Sequence, residues 1–144
     1  MIYIGSDHGG FKLKERLVKF LKKNKIEFSD LGAEGFVATD DYPIYVKKVC
    51  TNVLKNLGTN KGILICKSGH GVSIAANKYK GIRAALCWNT KVANHSRRDD
   101  DANVLCLPSE FVLGSEAEQI TLEWLNTPFS FEKRHIRRLK QIEK

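Results

Sequence analysis

Cys66, Ser68, Gly69 and Gly71 stand together in the stretch Gly62 to Asn77, and their types could remove a proton and hold the charge left behind. Ile63 to Cys66 is an apolar run too short for a helix and suited to a buried strand. Ser68, Gly69 and Gly71 let the backbone turn sharply and come close to a ligand. The alanine-rich run after them reads as a helix. Cys66 therefore ends a strand, and the N–H groups of a following helix face the same point, where they favour an anion or an oxygen gaining negative charge. A cysteine alone is more often a buried strand residue. The strand, glycine loop and helix together point to a ligand site, because open α/β sheets bind ligands at strand carboxyl ends.

Further candidates fall at the same predicted edge. Asp7 and His8 follow a short strand at Met1 to Ser6, and the loop before Tyr42 lies near it. Asp7 by itself would read as a helix cap. Arg134 and Arg138 are four apart, hence on one face of a helix, and guanidinium forks suit phosphate. On the residues alone a solvated basic tail is the preferred reading for them. The four histidines, His8, His70, His95 and His135, show no zinc-like spacing.

The elements that must position these residues alternate. Strands are expected at Met1–Ser6, Ile26–Leu31, up to Cys66, at Gly81–Cys87 and at Asn103–Leu107. Helices are expected up to about Lys23, with Phe11, Leu17, Phe20 and Leu21 inward, and from Tyr42 with Tyr45, Val49, Cys50, Val53 and Leu57 inward until Gly58. Two more span Asn89 to about Arg98 and Ser115–Leu125, with Ala117, Ile120 and Trp124 inward. Such alternation implies an α/β fold, a five-stranded parallel sheet covered on both faces. The 144 residues make a single domain, 1–144, in which 131–144 is a basic helical segment.

Composition narrows the class. Hydrophobic content of 42% with 28% charged residues is ordinary for a globular protein, and no long apolar run or leader-like segment is expected. Cys50, Cys66, Cys87 and Cys106 lie in apolar contexts without a CxxC, which suggests a reducing compartment, the cytoplasm, and no membrane. A formal charge of +8 could attract nucleic acid or a phosphorylated small molecule. No nucleic-acid reading motif is present, so that partner ranks last.

Ser6-Asp7-His8-Gly9-Gly10-Phe11, Asp41-Tyr42-Pro43, the loop and helix from Cys66 to Lys78, and Asp101-Ala102-Asn103-Val104-Leu105 occur together and in order. In these motifs the chain resembles the ribose-5-phosphate isomerase B family, of the group that includes the galactose-6-phosphate isomerase subunits. The resemblance covers almost the whole chain. It implies a Rossmann-like αβα sandwich, homodimers or homotetramers with sites built between subunits, a phosphorylated sugar as substrate, and no metal or cofactor. It implies aldose–ketose isomerisation through an enediolate with Cys66 as base, Ser68 positioning the sugar, and backbone N–H groups of the loop holding the enediolate oxygen. Asp7 would engage sugar hydroxyls, Tyr42 would line the site, and His8, Arg134 and Arg138 would bind phosphate. Gly69, His70 and Gly71 belong to the substrate loop.

Several residues depart from the family pattern. Asp99-Asp100 stands where the family has His-Asn, the histidine opening the sugar ring and the asparagine binding substrate. Glu110 replaces a substrate-binding arginine, and Lys67 a glycine. Negative charge near an anionic substrate opposes binding, and Lys67 could return a positive one. Ring opening then falls to Asp99, to His95 one helical turn earlier, or to His70. Asp99 could do this work if Asp100 raises its pKa. The competing expectation is a family member that binds a sugar phosphate but catalyses poorly or prefers another sugar.

Overall fold

The structure is a computed structural model, and it describes residues 1–143. Five strands form one parallel sheet: β1 (Ile2–Ser6), β2 (Phe28–Asp30), β3 (Lys61–Cys66), β4 (Ala84–Leu86) and β5 (Val104–Pro108), in the order β2-β1-β3-β5-β4. The helices are α1 (Phe11–Lys23), α2 (Tyr42–Leu54), α3 (His70–Ala76), α4 (Thr90–Asp100), α5 (Gly114–Asn126) and α6 (Lys133–Ile142). The expected α/β sandwich is thus present. Lys144, the last residue of the expected basic tail, lies outside the described residues.

The pleat sorts the strand residues into two cores. Ile63 and Ile65 of β3, with Leu105 and Leu107 of β5, pack with α1, α4 and α5. Leu64 and Cys66, with Val104 and Cys106, pack with α2 and α3 on the other face. This is the two-residue period of a strand buried on both sides. It aims the Cys66 side chain at the α2–α3 layer. The chain leaves β1 for one edge of the sheet and re-enters at β3 on its other side, so the carboxyl ends of β1 and β3 flank the switch in strand order.

Local departures have physical reasons. In α1 the buried residues are Leu13, Lys14, Leu17 and Leu21, while Phe11 and Phe20 only flank the stripe. Lys14 is inside because Asp30 and Glu15 take its ammonium at 2.5 and 3.0 Å. Asn24 stops the helix, donating its side-chain amide to the Phe20 carbonyl. The helix α2 ends at Leu54, before Gly58, and Leu57 is exposed. Its buried stripe is Tyr45, Val46, Val49, Cys50 and Val53. The helix α4 is capped by Asn89, whose side chain accepts the Val92 N–H at 2.8 Å, and it runs past Arg98 to include Asp99 and Asp100. Acidic residues in a last turn oppose the helix dipole, and Arg97 and Arg98 in the same turn offset them. No helix among the described residues is long and apolar enough to cross a membrane.

Candidate active site

The carboxyl ends of β1, β3 and β5 are laced into one floor. The Ser109 N–H donates to the Cys66 carbonyl at 3.0 Å and the Glu110 N–H to the Lys67 carbonyl at 3.0 Å. The Ser109 hydroxyl donates to the Gly9 carbonyl at 2.6 Å. Ser109 carried no signal in the sequence, since its role depends on a neighbour 100 positions away.

Cys66 ends β3 with 5% of its surface exposed, and its Sγ accepts the Gly69 N–H at 3.1 Å. Gly69 has φ +76°, and a Cβ there would meet Leu86 Cδ1 at 2.4 Å, so the turn that delivers this N–H is open only to glycine. His70 opens α3, is exposed, and donates its N–H to Ser68 Oγ at 3.4 Å. The Tyr42 ring lies directly on Gly71, where an added Cβ would come within 2.6 Å of Cζ. Cys66, Ser68, Gly69, His70, Gly71 and Tyr42 are therefore gathered at one place.

Asp7 and His8 complete that place. Asp7 is 7% exposed and its Oδ1 accepts the Gly10 N–H at 3.2 Å. Burial pushes its carboxyl above the ordinary value, against the Gly10 hydrogen bond and the His8 charge. The His8 ring and backbone both bond to Asp40, and that hydrogen bond raises the His8 pKa. Lys67 reaches across to Glu110 at 3.9 Å, both side chains being largely exposed, so the two family departures partly cancel each other's charge.

Asp99, Asp100, Arg134 and Arg138 are elsewhere in the chain. Val104, at the start of β5, is registered with Gly62 at the start of β3, and α4 ends just before it. Arg83, beside the start of β4, donates to the Asp100 carbonyl at 3.2 Å. The last turn of α4 is therefore at the amino edge of the sheet. Cys66 is at the carboxyl edge, about 16 Å away along the six-residue β3. The Arg98 carbonyl accepts the Ser130 N–H, and α6 packs on α4, so exposed Arg134 and Arg138 stay at that far edge.

The expectation that Asp100 raises the Asp99 pKa is overturned. Arg98 bonds both Asp99 oxygens at 2.7 and 3.1 Å, and His95 and His135 each lie 3.8 Å from the carboxylate. The Arg98 hydrogen bond holds Asp99 below its ordinary value despite partial burial, aided by the charges of Arg98, His135 and His95. His135, buried and bonded to Ser130 Oγ at 2.7 Å, is a structural histidine of α6.

Residues 2–142 match the model of one protein family, described as Ribose/Galactose Isomerase. The chain belongs to that family. Among the family's proteins, the ribose-5-phosphate isomerase B of Mycobacterium tuberculosis is 36% identical over 138 residues, covering 96% of this chain and 85% of that protein. The crystal structure of ribose-5-phosphate isomerase B from Mycoplasma genitalium with bound ribulose-5-phosphate superposes with a TM-score of 0.95. It is 44% identical and covers 99% of this chain and 93% of its own. A ribose 5-phosphate isomerase from Thermotoga maritima gives a TM-score of 0.93 at 42% identity, with 99% and 96% covered.

Proposed function

We propose that the chain interconverts ribose 5-phosphate and ribulose 5-phosphate, an aldose–ketose isomerisation through an enediolate. The observation that carries this is the Cys66 Sγ, bonded to the Gly69 N–H at 3.1 Å at a sheet edge shared with Asp7 and Tyr42. It is supported by the likeness to a structure that holds ribulose-5-phosphate.

In this reading the Cys66 sulfur, as thiolate, takes the proton from C2 of the open-chain aldose. The C–H electron pair forms the C1–C2 double bond, and O1 takes the charge. First-turn N–H groups of α3 at Gly71 and Val72, outside the helix's own ladder, stabilise that oxygen. The O2 hydroxyl proton then passes to O1, the thiol returns the carbon-bound proton to C1, and the C2–O2 bond becomes the ketone carbonyl, leaving Cys66 as thiolate again. Ser68 positions the sugar and Asp7 engages its hydroxyls. Tyr42, Lys67 and His70 line the site, and His8 binds the phosphate.

A second copy of the chain supplies Asp99, Asp100, Arg134 and Arg138, because a single chain holds them at the opposite sheet edge. This makes the working unit a homodimer or homotetramer. Ring opening falls to this region, with His95 exchanging protons with the sugar and Asp99, its carboxyl held below the ordinary value by Arg98 and so a weak base, orienting His95 at 3.8 Å. The four free, buried cysteines suit the reducing cytoplasm.

The test is ketose formation from ribose 5-phosphate by the purified protein and by Cys66→Ala. Turnover lost by at least about a hundredfold in the variant supports the base assignment; equal turnover overturns it. Glu110, Asp99 and Asp100 favour one alternative, a sugar-phosphate binder of low activity, and binding without turnover across pentose and hexose phosphates would establish it.

A further inference from the structure

Asp40 lies in the loop before α2 and belongs to none of the motifs that carry the family likeness. Its Oδ1 accepts both the backbone N–H and the ring Nδ1–H of His8, each at 2.8 Å. Its Oδ2 accepts the Tyr45 hydroxyl at 2.8 Å. The carboxylate is 7% exposed while the His8 side chain is 40% exposed, so the acid is inside and the imidazole faces out. One buried carboxylate ties the β1–α1 loop to the first turn of α2.

The chemistry of this contact restricts His8. An ionised carboxylate only accepts, so Nδ1 must carry a proton and Nε2 is the nitrogen left to face substrate. In the neutral ring Nε2 is then a lone pair, which a phosphate oxygen repels. In the imidazolium it is an N–H with full charge assistance. Only the cation can therefore serve a phosphate here.

We propose that Asp40 is the positioning residue of the phosphate site, orienting the His8 ring and making Nε2 a charged donor to the substrate's phosphate. The proposal rests on reading His8 as a phosphate ligand. The charged groups facing His8 are Asp40 from the loop and Asp7 beside it in the chain, and both favour the cation, with the Asp40 hydrogen bond foremost and partial burial opposing. The Phe36 ring meets His8 edge-on at 6.3 Å and brings no charge. Burial and the Asp40 bond push the Tyr45 hydroxyl up to about 12, so it remains a donor throughout the working pH range. The His8 hydrogen bonds and the Tyr45 hydroxyl outweigh burial and hold the Asp40 carboxyl below its ordinary value.

The test uses the whole protein with nitrogen-15-labelled histidine. The His8 titration midpoint is read by NMR in the wild type, Asp40→Asn, Asp40→Glu and Tyr45→Phe, with and without inorganic phosphate. Asp40→Asn is expected to lower the midpoint and raise KM for ribose 5-phosphate about tenfold near neutral pH, with kcat within about twofold. Asp40→Glu is expected to restore both. Tyr45→Phe, which keeps the charge, is expected to lower the midpoint less than Asp40→Asn. A merely structural role would change thermal stability and leave the midpoint where it was, and that result overturns the proposal. Should Asp40→Asn fail to fold, the wild type decides, because a neutral His8 with its proton on Nε2 contradicts the geometry. His8 signals that ignore phosphate, in a protein that turns over ribose 5-phosphate, defeat the phosphate reading and this proposal while leaving the isomerase reading standing.

Discussion

The Ser109 hydroxyl donates to the Gly9 carbonyl at 2.6 Å, while the same residue's N–H bonds the Cys66 carbonyl at 3.0 Å. Ser109 thereby fixes the distance between the loop that carries Asp7 and His8 and the strand that carries Cys66. Ser109→Ala is expected to cost about 1 kcal/mol of stability, the net worth of one hydrogen bond. It is also expected to lower kcat/KM severalfold through misplacement of the two loops. Denaturant midpoints and steady-state rates on one preparation check both.

Gly69→Ala tests the loop's backbone. The added Cβ would meet Leu86 Cδ1 at 2.4 Å with φ at +76°. We expect about 1–3 kcal/mol of destabilisation from strain. We expect a larger loss in kcat than in KM, because the N–H that bonds the Cys66 sulfur moves.

Glu110→Gln tests the exposed pair with Lys67. An exposed ion pair is worth up to about 1 kcal/mol, so freeing Lys67 is expected to lower KM for the phosphorylated sugar by up to about fivefold. Lys67→Ala is expected to raise KM and to flatten its dependence on salt. An unchanged KM in both variants would place Lys67 outside the substrate's field.

The carboxyls pull stability in opposite directions with pH. Asp7 has a raised pKa in the folded chain, so the folded state holds more protons and stability falls as pH rises from the ordinary Asp value through the raised one. Asp40 and Asp99 are depressed, so their contribution is present above the ordinary value and is lost as pH falls through the lower ones. At neutral pH, Asp7→Asn is therefore expected to raise the thermal midpoint and Asp99→Asn to lower it. If Asp7 engages the sugar hydroxyls as proposed, Asp7→Asn is also expected to lose at least about tenfold in kcat/KM, its burial then being kept at a cost in stability. Thermal unfolding of the two variants at neutral pH, and of the wild type from about pH 2 to pH 8, checks the signs.

Mixing Cys66→Ala with Arg134→Ala, each expected to be inactive, tests the proposal that two copies of the chain share a site. Cys66→Ala and Arg134→Ala damage residues that a single chain holds at opposite sheet edges. In a two-fold dimer the hybrid has one site carrying both changes and one carrying neither, so unfolding and refolding the mixture is expected to recover about a quarter of wild-type activity. No recovery would place both residues in the same chain's site.

Much of this arrangement was legible in the residues. The apolar run before Cys66 and the glycines after it announced a strand end and a turn, and the strand–helix alternation announced the parallel sheet. What escaped was non-local or counter to pattern. Lys14 sits inside because Asp30, in the next strand, neutralises it, and no helical periodicity reports a partner 16 positions on. Asp40 lies in a loop without periodicity, so its hold on His8 left no trace. Leu57 fits the spacing of α2 but follows the helix's end. Asp99 reads as near Asp100 in the chain, yet its charge state is set by Arg98, His95 and His135.

The most direct measurement is NMR of ribose 5-phosphate incubated with the protein in heavy water, with ribulose 5-phosphate as the companion sample. Ribulose 5-phosphate is expected to form, and deuterium to enter the carbon next to the carbonyl from either sugar. Cys66→Ala is expected to abolish both signals. Label from the ketose alone would leave Cys66 competent and contradict ring opening by the Asp99 region. No label from either sugar, with both shown to bind, would contradict the isomerase reading and leave a sugar-phosphate binder.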